Sequence, residues 1–156
     1  MTPHEISSEM QRIDRLVAVL EKTSQEVDPV VQNVFSNHIV LAGAGLIEKS
    51  IEAILYEYSG RRGSPPLRKY VKTTVGYNNS LNCEKIERIL NSFEKDWWKN
   101  IKNTTTEQER AAVDSLKTLR DQVAHGKPNG TGFVTVRDYY KLAKSFVAKI
   151  CMEIIP

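Results

Sequence analysis

Arg120 and His125 stand five positions apart in Leu119-Arg120-Asp121-Gln122-Val123-Ala124-His125-Gly126, and this is where the sequence concentrates its capacity for chemistry. An imidazole exchanges protons near neutral pH, and a guanidinium offers planar donors to two oxygens of a carboxylate or phosphate. The spacing alone is common by chance, so its context has to decide. At ~100° per residue Ala112, Leu116, Leu119 and Val123 share one helix face, and Arg120 projects from that same face. An arginine there needs an acceptor, either a carboxylate within the fold or a phosphate in a groove; otherwise its stem snorkels outward. The same wheel sets Glu48 among Val34, Leu41, Ala44, Ile51 and Leu55, a second charge on an apolar side. Glu48 and Arg120 are therefore expected to pair or to line one polar pocket, as a site or as a purely structural ion pair.

His125 lies roughly 140° around the helix from Arg120, so the two do not converge on an ideal rod. Two arrangements bring them together. Gly126 frees the last turn to unwind, or a symmetric dimer sets the arginine of one chain against the histidine of the other. Asp121, one turn before His125, is placed to hold an imidazole nitrogen. His4 and His38 have no cysteine or second histidine nearby, and no local metal site can be assembled.

The elements that must position these residues are helical. Ile13, Leu16, Val17 and Leu20 predict a first amphipathic helix over about 8–27, ended by Asp28-Pro29. Pro29 opens a long second helix to about Tyr58, with Ser59-Gly60 as its stop and with Gly43 and Gly45 as points of close helix contact. Ala42-Gly43-Ala44-Gly45 is not a phosphate loop, because it lacks the glycine spacing and the Gly-Lys-Ser/Thr ending that a phosphate cradle requires. Pro65-Pro66 starts a short helix through Lys72; Ile86, Ile89, Leu90 and Phe93 mark another from about Asn82. Trp97 and Trp98 follow on a segment that Asn103-Thr104-Thr105 terminates, and adjacent positions on a helix allow deep burial of one of them. Thr106-x-x-Glu109 is a capping box for the helix that carries Arg120 and stops at Gly126, with Pro128 beyond. Thr135 caps a last helix, and Phe133 to Val136 is the one segment with strand character. The expectation is an all-α bundle of about five to seven helices forming a single domain over 1–156, with 1–28 as an N-terminal helix and 29–156 as the core bundle.

Twenty-two Lys and Arg against 19 Asp and Glu give a net charge of +3, too little to announce a nucleic-acid binder. Its distribution says more. Arg61, Arg62, Arg68, Lys69 and Lys72 surround a Gly-Ser-Pro-Pro break with no acidic residue among them, either a solvated basic loop or a phosphate-attracting patch. Cys83 and Cys151 form no CxxC pair and read as ordinary thiols of a reducing cytoplasm. No apolar run approaches the ~20 residues of a membrane span, nor does the N-terminus resemble a secretion signal. The sequons at Asn78, Asn103 and Asn129 are accordingly chance matches in polar loops.

Arg120-Asp121-x-x-x-His125 at a bundle helix end, after a long helix containing Leu41-x-x-Ala44-Gly45-x-x-Glu48, resembles the HEPN superfamily and, within it, the HEPN domains found beside RNA-repair ligases and phosphatases, the RiboL-PSP type. The likeness runs from about Asn37 to Ile155, and the first helix has no assigned counterpart. It implies a HEPN-like bundle that dimerises with both motifs at the interface, and it implies RNA as partner. Many members are metal-independent endoribonucleases without a cofactor, of the toxin, phage-defence or RNA-processing kind; others are silent RNA binders or assembly partners. By resemblance Arg120 is the phosphate clamp, His125 the base or acid, Asp121 its orienting group and Glu48 a less constant acidic member. An antitoxin or an RNA-repair protein is the further partner implied, with no membrane.

Overall fold

The computed structural model describes residues 2–23, 26–127 and 129–156, and Pro128, expected beyond the end of the sixth helix, lies outside them. Among the described residues seven helices follow one another: α1 (His4–Thr23), α2 (Pro29–Arg62), α3 (Pro65–Gly76), α4 (Cys83–Asn91), α5 (Trp97–Thr104), α6 (Glu107–Ala124) and α7 (Phe133–Ile154). No strand occurs among the described residues, so the strand character of 133–136 is overridden; Phe133 and Val136 are buried on the first turn of α7 instead.

Helix α2 organises the bundle. Asp28 Oδ1 accepts the Val30 N–H at 2.8 Å and Pro29 presets the first turn, so the start is fixed locally. From Ile39 to Leu55 its buried residues point to several sides, and α1, α3, α6 and α7 all pack against it. The helix runs through Ser59-Gly60 to Arg62, past the expected stop. The reason is tertiary: a Cβ at Gly60 would lie 2.8 Å from the Arg68 guanidinium, so the glycine gives room for a side chain of α3 rather than ending α2. Helix α1 is held by Ile6, Ile13, Val17 and Leu20, which join the same buried cluster as the rest of the bundle. Asp14 fastens it to α7, accepting from the Tyr140 hydroxyl at 2.7 Å and from Lys144 Nζ at 2.8 and 2.9 Å.

The capping box of α6 is complete. Thr106 Oγ1 accepts the Glu109 N–H at 3.1 Å and Glu109 Oε2 accepts the Thr106 N–H at 2.8 Å. Burial alone would raise the Glu109 carboxyl, but hydrogen bonds from Ser145, Lys149 and the Thr106 backbone outweigh it and hold the pKa below the usual range. Helix α7 begins at Phe133 behind a Gly132 cap, three residues before the expected cap at Thr135. Both Trp97 and Trp98 are buried, not one of them. Helix α5 is two turns long and sunk between α4 and α7, so neighbours cover it on more than one side. Trp97 meets Tyr58 edge-on at 4.7 Å and stacks on Phe93 at 6.2 Å.

Both cysteines are free and buried, and burial first, then Asp114, pushes the Cys83 thiol up to about 12. No described helix is long and apolar enough to cross a membrane. Gly43 does face a neighbour, with its Cβ position 3.5 Å from Leu116 and 3.9 Å from Tyr140, but at Gly45 nothing lies within 4 Å. Close contact therefore accounts for one glycine only. Gly45→Ala should raise stability by about 0.5–1 kcal/mol, because it removes a helix-interior glycine into open space. Denaturant unfolding checks this; a loss would mean that the position needs glycine for a neighbour.

Candidate active site

Lys117, Arg120 and Asp121 lie on the last turns of α6, and His125 is its C-cap. The helix end is tied rather than frayed. The Lys127 N–H donates to the Gln122 carbonyl at 2.9 Å and the Gly126 N–H to that of Val123 at 3.1 Å, with Gly126 at φ +66°. This is a Schellman closure, and the His125 N–H still reaches the Asp121 carbonyl at 3.1 Å. The unwinding expected at Gly126 does not occur. Arg120 and His125 keep the azimuths of a regular helix, about 140° apart, and Arg120 does not line the groove that holds His125.

Asp121 is the centre of a charge cluster. Lys117 Nζ lies 2.6 Å from its Oδ2, the Ser80 hydroxyl donates to Oδ1 at 2.7 Å, and Arg120 Nη1 stands at 3.4 Å from the same oxygen. The hydrogen bond from Lys117 first, then that from Ser80, pulls the carboxyl down to about 2. Asp121 is thus anionic throughout the range in which histidine side chains titrate, but both its oxygens are already engaged. Its expected task of orienting the His125 ring finds no bond in the structure. The two residues do share one groove of about 190 Å³, lined by Lys117, Thr118, Asp121, Gln122, His125 and Lys127.

Glu48 enters the cluster from α2. Its Oε1 accepts the Ser80 N–H at 2.5 Å, so Glu48 and Asp121 are linked through one residue of the loop between α3 and α4. No ion pair joins Glu48 to Arg120 among the described residues, so the direct pairing is replaced by a chain: Glu48, Ser80, Asp121, Arg120. Lys85 Nζ donates to the Ser80 carbonyl at 3.2 Å, so every polar group of Ser80 is used. The side of α2 that carries Glu48 is only partly covered. Ala44, Ile51 and Leu55 are buried, whereas Val34 and Leu41 are 61% and 41% exposed, together with Val30, Val31 and Phe35.

Sequence reasoning missed Ser80 and Lys117. Lys117 was legible as an i, i+4 partner of Asp121. Ser80 carried no signal, because its role rests on a φ of +57°, uncommon for a serine, that aims N–H and hydroxyl at two helices.

The basic residues between 61 and 72 are less free than their sequence implied. Arg61 Nε pairs with Glu57 at 3.2 Å and Arg68 lies 3.9 Å from the same carboxylate. Arg62 sits 4.3 Å over the Tyr58 ring, Arg68 3.9 Å and Lys72 5.2 Å from that of Tyr56; Lys69 is exposed. Glu57 and the tyrosines, just before the basic run, are what the count of charges left out. The largest cleft, about 470 Å³ between α1, α2 and α3, mixes Lys49 and Lys72 with Glu5, Glu9 and Glu52 and shares no lining residue with the His125 groove. No group of three or more potential metal ligands occurs among the described residues.

An all-helical bundle with Arg-polar-x-x-x-His at one helix end has the architecture and motif of the HEPN class. The RiboL-PSP-HEPN family model matches residues 5–155, and the chain belongs to that family. The match begins at residue 5, so α1 falls within the family and the expected start near Asn37 is corrected. Nothing matches among curated proteins or among solved structures.

Two outcomes test the cluster. Ser80→Gly should be more stable than Ser80→Ala by about 1 kcal/mol, since both lose the hydroxyl and only glycine relieves the left-handed backbone. Asp121→Asn should destabilise by about 1 kcal/mol at pH 7, a modest figure because a third of the side chain stays in solvent that screens its pairs. A depressed folded pKa stabilises above the unfolded value and loses that contribution as pH falls. The gap between wild type and Asp121→Asn should therefore shrink from about pH 4 towards pH 2; a gap constant with pH would show that Asp121 makes no charge-dependent contribution.

Proposed function

We propose that this HEPN protein is a metal-independent endoribonuclease of the toxin, phage-defence or RNA-processing kind, working in the cytoplasm under the restraint of an antitoxin or beside an RNA-repair protein. One observation carries the reading: at a rigidly capped helix end, Lys117 already neutralises the carboxylate next to Arg120. The remaining contact of Arg120 is long, at 3.4 Å, so its guanidinium is available to a phosphate.

RNA supplies its own nucleophile, so a proton acceptor and a cation suffice. His125 takes the 2′-OH proton as the 2′ oxygen attacks phosphorus, Arg120 binds the nonbridging oxygens, and the bond to the 5′ oxygen breaks as that oxygen takes a proton from water. The products are a 2′,3′-cyclic phosphate and a 5′-OH end, which DNA cannot give. Glu48, through Ser80, and Asp121 act by fixing the electrostatics of this helix end. Arg62, Lys69 and Lys72 serve as outlying RNA contacts, with Arg61 and Arg68 contributing less because Glu57 offsets them.

A twofold dimer answers the azimuth problem. The exposed stripe of Val30, Val34 and Leu41 runs along α2 in line with Glu48. Asn129, in the loop leaving His125, donates to Asn37 on the same helix at 3.3 Å. Joining two such stripes sets the α6 ends of both chains near the axis. The second reading, a catalytically silent RNA-binding or protein-interaction HEPN domain, is favoured by the separation of Arg120 from His125 within one chain.

Arg120→Ala and His125→Ala should each reduce RNA cleavage by at least ~10²-fold while leaving the fold intact. Wild type should have twice the 17.7 kDa chain mass by light scattering and should keep its activity in EDTA. Mixing the two alanine variants should restore part of the activity, because one centre of the heterodimer then holds both an arginine and a histidine. RNA binding without cleavage of any RNA in a broad panel establishes the silent reading instead.

A further inference from the structure

The groove beside His125 has a chemistry that the nuclease reading does not by itself assign. Its one carboxylate, Asp121, is spent on Lys117 and Ser80. The Thr118 hydroxyl is turned to the Asp114 carbonyl at 3.1 Å. The lining residues that remain are Lys127 and His125, both exposed, and the half-buried Gln122. An anion at a helix C-terminus would ordinarily be repelled by unpaired carbonyls. Here the Asp121, Gln122 and Val123 carbonyls accept the His125, Lys127 and Gly126 N–H groups, which blunts that repulsion. The same closure fixes the Lys127 backbone one residue beyond Gly126, so its exposed ammonium is anchored on a rigid turn next to the histidine. Other concave surfaces differ. The largest cleft sets three glutamates among its cations, and the basic run at 61–72 is occupied by Glu57 and by tyrosine rings.

Resting on the nuclease reading and deepening it, we propose that this groove seats the RNA phosphate next to the scissile one, with Lys127 and Gln122 as its donors. Lys117 acts indirectly, by cancelling the charge of Asp121 so that the groove stays positive. A strand entering the site is thus gripped one nucleotide away from the bond that breaks. Recognition at this point is of the phosphate, not of the base, so it adds affinity without sequence preference.

The test compares wild type, Lys127→Gln and Lys99→Gln. Lys99 is an exposed residue of α5, and α5 leads into the first turn of α6, a helix of 18 residues and therefore roughly 27 Å long at ~1.5 Å per residue. Two substrates are used: a dinucleoside monophosphate, which carries the scissile phosphate alone, and a single-stranded octaribonucleotide. Lys127→Gln should lower kcat/KM about tenfold on the octanucleotide, mainly through KM, and leave the dinucleoside monophosphate unchanged. Its binding to a fluorescein-labelled octanucleotide should lose about 0.7 from the slope of log K against log salt, the share of one phosphate contact on a single strand. Lys99→Gln should change neither quantity. Equal losses on both substrates, or an unchanged salt slope, overturn the proposal. If wild type binds RNA but cleaves neither these substrates nor any RNA of a broad panel, the nuclease reading fails while the salt slope still decides the groove. If wild type binds no RNA, both fail.

Discussion

The rest of the structure depends on the burial of α2. A helix whose apolar residues point to several sides cannot be stable in water alone, and it has to be enclosed. Helices α1, α3, α6 and α7 are its cover, and α6 and α7 also pack on each other. Where the cover stops, the sequence of α2 changes character. Lys49 is exposed and Glu48 and Glu52 are half-buried, at the edges between covering helices. Polar chemistry on this fold arises at such an edge, where α2, the α3–α4 loop and the end of α6 meet.

At that edge the arrangement is one of graded charge rather than of isolated pairs. A half-buried aspartate beside an arginine would normally consume it. Lys117, one turn earlier on the same helix, takes the shorter bond, and Ser80 takes the other oxygen. Arg120 is left with a long contact to a neighbouring residue, a geometry with little hold on it. Ser80 also ties the loop to Glu48, so one serine links side chains of α2 and α6 beside their apolar contact.

Helix order and the starts of α2, α3, α4 and α6 were legible because local chemistry states them, whereas α1 begins at His4, four residues before the expected start. Asp28-Pro29, Thr106 with Glu109, and Gly126 act through bonds to residues within four positions, and each does what its type predicts. Several departures are cases in which a distant residue decides. Gly60 continues α2 because Arg68 fills its space, and both tryptophans of α5 are buried because α4 and α7 flank that short helix. Val34 and Leu41 lie on the apolar side of the wheel but no helix of the chain covers them, which periodicity cannot reveal. The motif Arg120-Asp121-x-x-x-His125 was visible as a pattern. Its electrostatics were not, since they hinge on the left-handed backbone of a loop serine 41 positions away from Asp121.

The distribution of contacts along the chain also bears on how the protein is made. Tyr140 and Lys144 reach Asp14, and α7 packs on both α2 and α6, so the enclosure closes only with an element translated after all those it covers. A ribosome adds residues over seconds, whereas a single helix forms in microseconds. During synthesis α2 therefore emerges with much of its apolar surface open until α7 follows.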